Sequence, residues 1–344
     1  MTDYALEALL APINGESPTG PDLEYDADFL ALERAAAPKA ERVMGDEVKA
    51  AEEPDWNEVA EMALALLRRS KDLRVAVHLA TAWLRTSGMP GWAAGMGLVR
   101  GLLENFWEGV YPQLDAEDDN DPTARVNAVA PISSLDGALA YVQTTPFVQS
   151  PRLGRFSLRD LRVANGELKP AASAEGEASA SASITEIEAC CMDCPEEELA
   201  AAATAVGAML EDLRAIDQIF SDHIGTAGPE LKPLLADAQE LKRFLDGQFA
   251  RRNPEAAAEE VVEGGEPAGV AAAAGNGRIN GPQDVLRRMD EICDYYARAE
   301  PSSPVPLLLR RAQRLVGMSF ADLMKDLAPG GMNELQVISG PFDE

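Results

Sequence analysis

From Asp55 to Trp107 the chain is almost continuously helix-forming and apolar on more than one helical face, which limits what the whole can fold into. Pro54 and Asp55 supply a turn and a cap ahead of WNEVAEMALALLRRS. Val59, Met62, Leu66 and Leu67 follow at helical spacing, and Arg68 and Arg69 sit in the last turn, where cations suit the helix dipole. Ser70 opens SKDLRVAVHLATAWLRTSG. Leu73, Val77, Ala80 and Leu84 share one face of it, and Val75, Leu79 and Trp83 another. A helix of this kind belongs in the middle of a bundle. Gly88 and Pro90 end it, and a third helix is predicted over 91–108. Short connections between long helices make antiparallel neighbours.

The flanking sequence extends the helical reading. Residues 12–25, PINGESPTGPDLEY, are punctuated by Pro and Gly and read as a loop. A short helix is expected over 26–37 and a loop over 38–53. Beyond the third helix, helices are expected over 123–130 and 133–143, and a short extended segment over 155–163. Residues 169–183 lack large apolar groups and cannot bury enough surface to offset ordering entropy. Ser183 with Glu186 forms a predicted capping box, followed by helices over 184–193, 196–222 and 229–250. Residues 251–281 are rich in Glu, Ala and Gly, and two or three helices are expected within 282–328.

The expected architecture is therefore all-α. A helical N-terminal domain (1–168) is joined by a linker (169–183) to a small middle helical unit (184–250). A flexible linker (251–281) then leads to a short C-terminal helical domain (282–344). Strand and helix patterns do not alternate, which argues against α/β enzyme folds.

Charge narrows the partners. Among 344 residues, 58 acids stand against 30 bases, a net charge of −28. Such a surface repels phosphate backbones and anionic headgroups, and a basic protein surface suits it better. No window approaches 18 uninterrupted apolar residues, and MTDYALEALLAPINGE lacks the basic start of a secretory signal. Four cysteines, three of them at Cys190, Cys191 and Cys194, are no disulfide framework, so a reducing cytoplasm is expected.

Motifs for chemistry fail one by one. His78 and His223 are the only histidines, and His78 lies in the most apolar helix, where packing is the simpler role. Cys191-x-x-Cys194 lacks a second ligand pair for zinc, because Cys293 is about a hundred residues away. Asp115, Glu117, Asp119 and Asp121 alternate like a calcium loop. Counting from Asp115, however, Asn120 and Val126 stand where such a loop needs Gly and Glu. GNGRING at 275–281 follows an alanine run and not a strand, so it is no phosphate cradle. No catalytic residue, metal or cofactor is expected.

The last block differs from the rest. In EPSSPVPLLLRRAQRLV, at 300–316, prolines precede a helix carrying Leu307, Leu308 and Leu309 beside a basic cluster of Arg310, Arg311 and Arg314. Met289, Ile292, Cys293, Tyr295 and Tyr296 form another apolar stripe just before it. A block of about 50 residues rarely holds a core alone, and oligomerisation is the inexpensive remedy.

Three N-terminal strings resemble the ImpA-type domain: PINGESPTGPDLEYD at 12–26, DWNEVAEMALALLRRSKDLRVAVHLATAWLR at 55–85 and YPQLDAEDDNDPTARVNAV at 111–129. EICDYYARAEPSSPVPLLLRRAQRLVGMSFADLMKDLAP at 291–329 is similar to the terminal block of the same proteins. Together they resemble the TssA subunits of bacterial type VI secretion systems. The resemblance implies a cytoplasmic assembly protein, recruited to a machine attached to the inner membrane, and not an enzyme. It implies a role at the baseplate and in building the tube and contractile sheath, with those proteins as partners. It also implies a C-terminal region that forms a ring-shaped homo-oligomer, and places Pro304, Pro306, Leu307, Leu308, Leu309, Arg310 and Arg311 in it. Two other readings stay open from the residues. One is a monomeric acidic adaptor for a basic peptide or chaperone client. The other is a metal-dependent hydrolase built on the acidic cluster or the cysteines.

Overall fold

The computed structural model describes residues 4–38, 42–44, 47–49, 53–169, 182–253, 282–299 and 304–315. The expected linkers, over most of their length, and everything after residue 315 lie outside the described residues. The chain divides into two compact units, residues 1–264 and 265–344.

The first unit is mainly helical. Its helices are α1 (Leu6–Leu10), α2 (Ala27–Ala36), α3 (Trp56–Leu67), α4 (Leu73–Phe106), α5 (Thr123–Val129), α6 (Ala138–Thr144), α7 (Leu158–Ala164), α8 (Ile184–Asp193), α9 (Glu196–Ile224) and α10 (Lys232–Arg252). Side chains start several of them. Asp26 accepts from the backbone N–H groups of Asp28 and Phe29, and Asp55 from those of Asn57 and Glu58. Ser183 and Glu186 form both halves of the expected capping box, and Ser157 with Asp160 forms another.

Two small antiparallel ribbons correct the all-α expectation. β1 (Arg42–Met44) pairs with β2 (Glu47–Lys49) inside the stretch expected to be loop. β3 (Pro146–Ser150) pairs with β4 (Gly154–Ser157), so the extended segment expected over 155–163 is strand only to Ser157 and helix thereafter. Strands of three to five residues are too short to imprint a period-two pattern on the sequence.

The centre of the unit is α4, which reverses direction inside its length. Gly88 has φ 67° and ψ −149°, a conformation essentially reserved for glycine. Beyond it the chain returns along itself: a Cβ on Gly95 would sit 2.4 Å from the Ala80 Cβ. The two expected helices are thus one tight hairpin. Its apolar residues, from Leu73 to Leu103, belong to a continuous core fed by α1 through α10.

The helices after residue 183 share that core. Leu199, Val206, Met209, Leu213, Ile216 and Phe220 recur along α9 and are buried, with α4 as the main neighbour. The Trp107 ring meets Phe220 edge-on at 5.5 Å and stacks on His223 at 4.0 Å. Arg100 on α4 pairs with Asp212 on α9 at 3.1 Å. Arg162 on α7 reaches Asp237 and Glu240 on α10.

The second unit contributes α11 (Pro282–Ala299) and α12 (Val305–Leu315), packed against each other. Among the described residues, no helix is long and apolar enough to cross a membrane.

Two glycine substitutions separate backbone from packing. Gly88→Ala would make only an ordinary contact with Thr145 Cγ2 at 3.9 Å but needs a forbidden backbone, and urea denaturation should show a loss of ~1–3 kcal/mol. Gly95→Val should cost at least as much by forcing the hairpin apart. Unchanged midpoints for both would contradict the hairpin geometry.

Candidate assembly interface

The three N-terminal strings come together at one buried polar junction. The five-residue link between α3 and α4 ends in Ser70, Lys71 and Asp72, all fully buried. Such polar groups need partners, and the Pro/Gly loop supplies them. Ser70 Oγ donates to the carbonyls of Thr19 (3.2 Å) and Pro21 (2.7 Å). The Lys71 backbone N–H donates to Thr19 O at 2.7 Å, and its ammonium to Leu9 O at 2.6 Å and Leu67 O at 3.3 Å. Burial lowers the Lys71 pKa. Asp72 caps α4 by accepting from the Arg74 backbone at 2.9 Å, and it holds the Arg74 guanidinium through Nε and Nη2.

Tyr111 fastens the third string. Its N–H donates to Lys71 O at 2.9 Å, and its carbonyl accepts from Leu73 N at 2.8 Å. Its hydroxyl donates to Gly20 O at 3.2 Å. Arg125, also fully buried, donates to the carbonyls of Trp107 (2.7 Å), Val110 (2.9 Å) and Pro112 (2.9 Å), and its guanidinium lies 4.9 Å from the Trp107 ring centre. Burial brings its pKa down to about 10, so it stays cationic at neutral pH. The sequence reading gave no role to Lys71, Asp72 or Arg125. A trace existed for Arg125, which lies on the same helical face as Ala128 and Val129, both buried.

The N-terminal family model that matches is described as "ImpA, N-terminal, type VI secretion system", over residues 10–134. That range contains the junction except for Leu9, whose carbonyl accepts from Lys71. The chain is also 40% identical to type VI secretion system component TssA1 of Pseudomonas aeruginosa, over 98% of each chain. The chain belongs to the TssA family of type VI secretion components. A solved structure agrees with the fold. The N-terminal domain of the TssA component from Burkholderia cenocepacia, which includes the conserved ImpA_N region, aligns with a TM-score of 0.57 and 25% identity. The alignment covers 73% of this chain and 96% of that one, so the likeness reaches well past residue 134.

The terminal block presents exposed apolar side chains of its own. On α11, Leu286, Met289, Cys293 and Tyr296 recur on the covered side, and Cys293 is the one fully buried residue described there. On α12 the half-buried Pro306, Leu309, Ala312 and Gln313 mark the matching side. Gln313 latches the pair, donating to Asp290 Oδ1 at 2.7 Å and Leu286 O at 3.3 Å. Sequence reading missed that latch. Of the predicted residues, Pro306 and Leu309 are therefore spent partly inside the hairpin. Pro304, Leu307, Leu308, Arg310 and Arg311 are exposed. Leu307 is 73% exposed and Leu308 67%, and Tyr295 on α11 is 53% exposed.

The other candidates do not assemble into chemistry. Asp115 accepts from Glu117 N and Asp121 from Thr123 N, so both carboxylates brace the loop's own turns. Among the described residues, no group of three or more His, Cys, Asp or Glu side chains is placed to hold a metal. Burial pushes the Cys190 thiol up to about 11 and Cys191 up to about 12, with neighbouring thiols adding to the effect. His78 is half-buried, with Nε2 2.9 Å from Glu33 Oε1.

Two measurements check these assignments. Asp72→Ala removes a helix cap and the buried partner of Arg74, and should lower unfolding free energy by ~2–4 kcal/mol. At pH 8 the native protein should leave Cys190, Cys191 and Cys194 unmodified by a thiol reagent for minutes, whereas all three react once denatured.

Proposed function

We propose that this chain is a structural subunit of a type VI secretion machine that self-associates through α11 and α12 into a ring, acting at the baseplate and in tube and sheath assembly. The observation that carries this reading is the exposed face of the hairpin. Leu307, Leu308, Ile292 and Tyr295 present large apolar side chains to solvent on a pair of helices in which, among the described residues, Cys293 alone is buried. A small helical block of this kind gains stability from self-association, and identical neighbours can cover the apolar side chains it exposes. Arg310 and Arg311 add a local positive charge to a chain of net charge −28. They suit acidic surface on an adjoining subunit and set orientation more than strength.

Family membership supports the place of action, since the relative from Pseudomonas aeruginosa is described as a component of the secretion system. Baseplate, tube and sheath proteins are the proposed partners, and the cytoplasmic face of the membrane-attached machine the proposed location. Buried, unpaired cysteines agree with a reducing compartment. The proposed role needs no catalysis, metal or cofactor.

Light scattering on the purified chain should give a mass several times 36.8 kDa. A double substitution, Leu307→Asp with Leu308→Asp, should bring the mass down to that of one chain while leaving the helical circular-dichroism signal intact. An unaltered mass in the variant would move the contact away from α12. A monomeric parent would favour the adaptor reading.

A further inference from the structure

A second surface lies within the first unit. A groove of about 580 Å³ opens between α2, the start of α3, the first half of α4 and the turn before α6. Its volume suits a few side chains and not a whole helix. Trp56 and Tyr141 furnish aromatic surface, with ring centres 5.5 Å apart and planes at 78°. Exposed carboxylates of Glu24, Glu33 and Asp136 line it as well.

The cations that line the groove are already engaged. Arg74 is held by Asp72 at 2.7 Å and Asp22 at 3.6 Å, and its guanidinium lies 4.5 Å from the Phe29 ring centre. His78 meets Glu33. Arg74 also acts on Glu24 through space, whereas the Asp136 carboxylate forms no ion pair of 4 Å or less among the described residues. The groove therefore keeps unspent negative charge beside aromatic rings, on a chain whose overall field attracts cations. The fold itself displays the seating such a site would use, because Arg85 lies 4.7 Å over the other ring of the pair, Tyr141. Apolar anchors stand next to it in the chain: Tyr25 follows Glu24 and is 88% exposed, and Leu135 precedes Asp136 and is 65% exposed.

We infer that this groove docks a short segment of another protein in which a Lys or Arg stands next to an apolar or aromatic side chain. The cation meets Asp136 and Glu24 over the Trp56 ring, and the apolar neighbour packs on Leu135 or Tyr25. The groove supplies register through charge and strength through ring and apolar contact.

The test uses the full chain in its own cell. A photo-crosslinking amino acid is placed at Leu135, and in a control at Leu153, and the linked peptides are sequenced. The expected adduct at 135 is a peptide from another protein with Lys or Arg beside an apolar residue. Asp136→Lys should reduce that adduct about tenfold, equivalent to about 1.4 kcal/mol. Glu33→Gln, which leaves the shape of the groove intact, should reduce it in the same direction. Adducts at 153 should not change with either substitution. An acidic or uncharged target, a peptide of this same chain, an adduct indifferent to both substitutions, or no adduct at 135 would each overturn the inference.

Discussion

Everything in the first unit hangs on the link between α3 and α4. A chain that joins two buried helices through only five residues, the last three of them fully buried, brings polar backbone and side chains into the core. The cost is met by bringing a distant Pro/Gly loop alongside. Thr19 and Pro21 offer carbonyls to Ser70, while Leu9 and Leu67 satisfy the Lys71 ammonium without any carboxylate. Tyr111 then bridges loop and link, and Arg125 ties down the three carbonyls that follow α4. The loop at 12–25 is therefore a structural strap, and its polar composition serves the core it covers.

Much of this was legible in the residues and some was not, for reasons that can be named. Most helix positions followed from periodicity, although the helix expected over 133–143 starts only at Ala138, and Gly88 was visible as a stop. Its depth was not: the positive φ there folds α4 back until Gly95 touches Ala80, which no local pattern encodes. The two ribbons were too short to register: β1 and β2 pair over only three residues each. The buried cations escaped because charge in a sequence reads as surface. Lys71 and Arg125 are exceptions only because backbone carbonyls from elsewhere converge on them. The stripe on α11 was seen as one apolar group, yet the structure divides it. Met289, Cys293 and Tyr296 face inward, and Ile292 and Tyr295 face solvent.

That division gives the assembly proposal its physical content. Residues that complete a hairpin are not available to a neighbour, so the proposed contact narrows from seven predicted positions to the exposed set around Leu307 and Leu308. The strongly negative charge of the rest of the chain then has a use beyond solubility. In the proposed assembly it would keep copies from associating through their other faces, while the small basic patch of α12 would offer one favourable approach. The groove beside Trp56 is a separate proposition with the opposite polarity: there the chain offers anions and aromatic surface to something basic. A scaffold subunit with one face for itself and another for a partner is a consistent physical picture, and the two faces can fail independently.

The central claim is self-assembly, and electron microscopy of the purified full-length chain tests it most directly. The account predicts closed rings of uniform size built from many copies. A field of uniform particles no larger than a single chain, at concentrations of several micromolar, would contradict it.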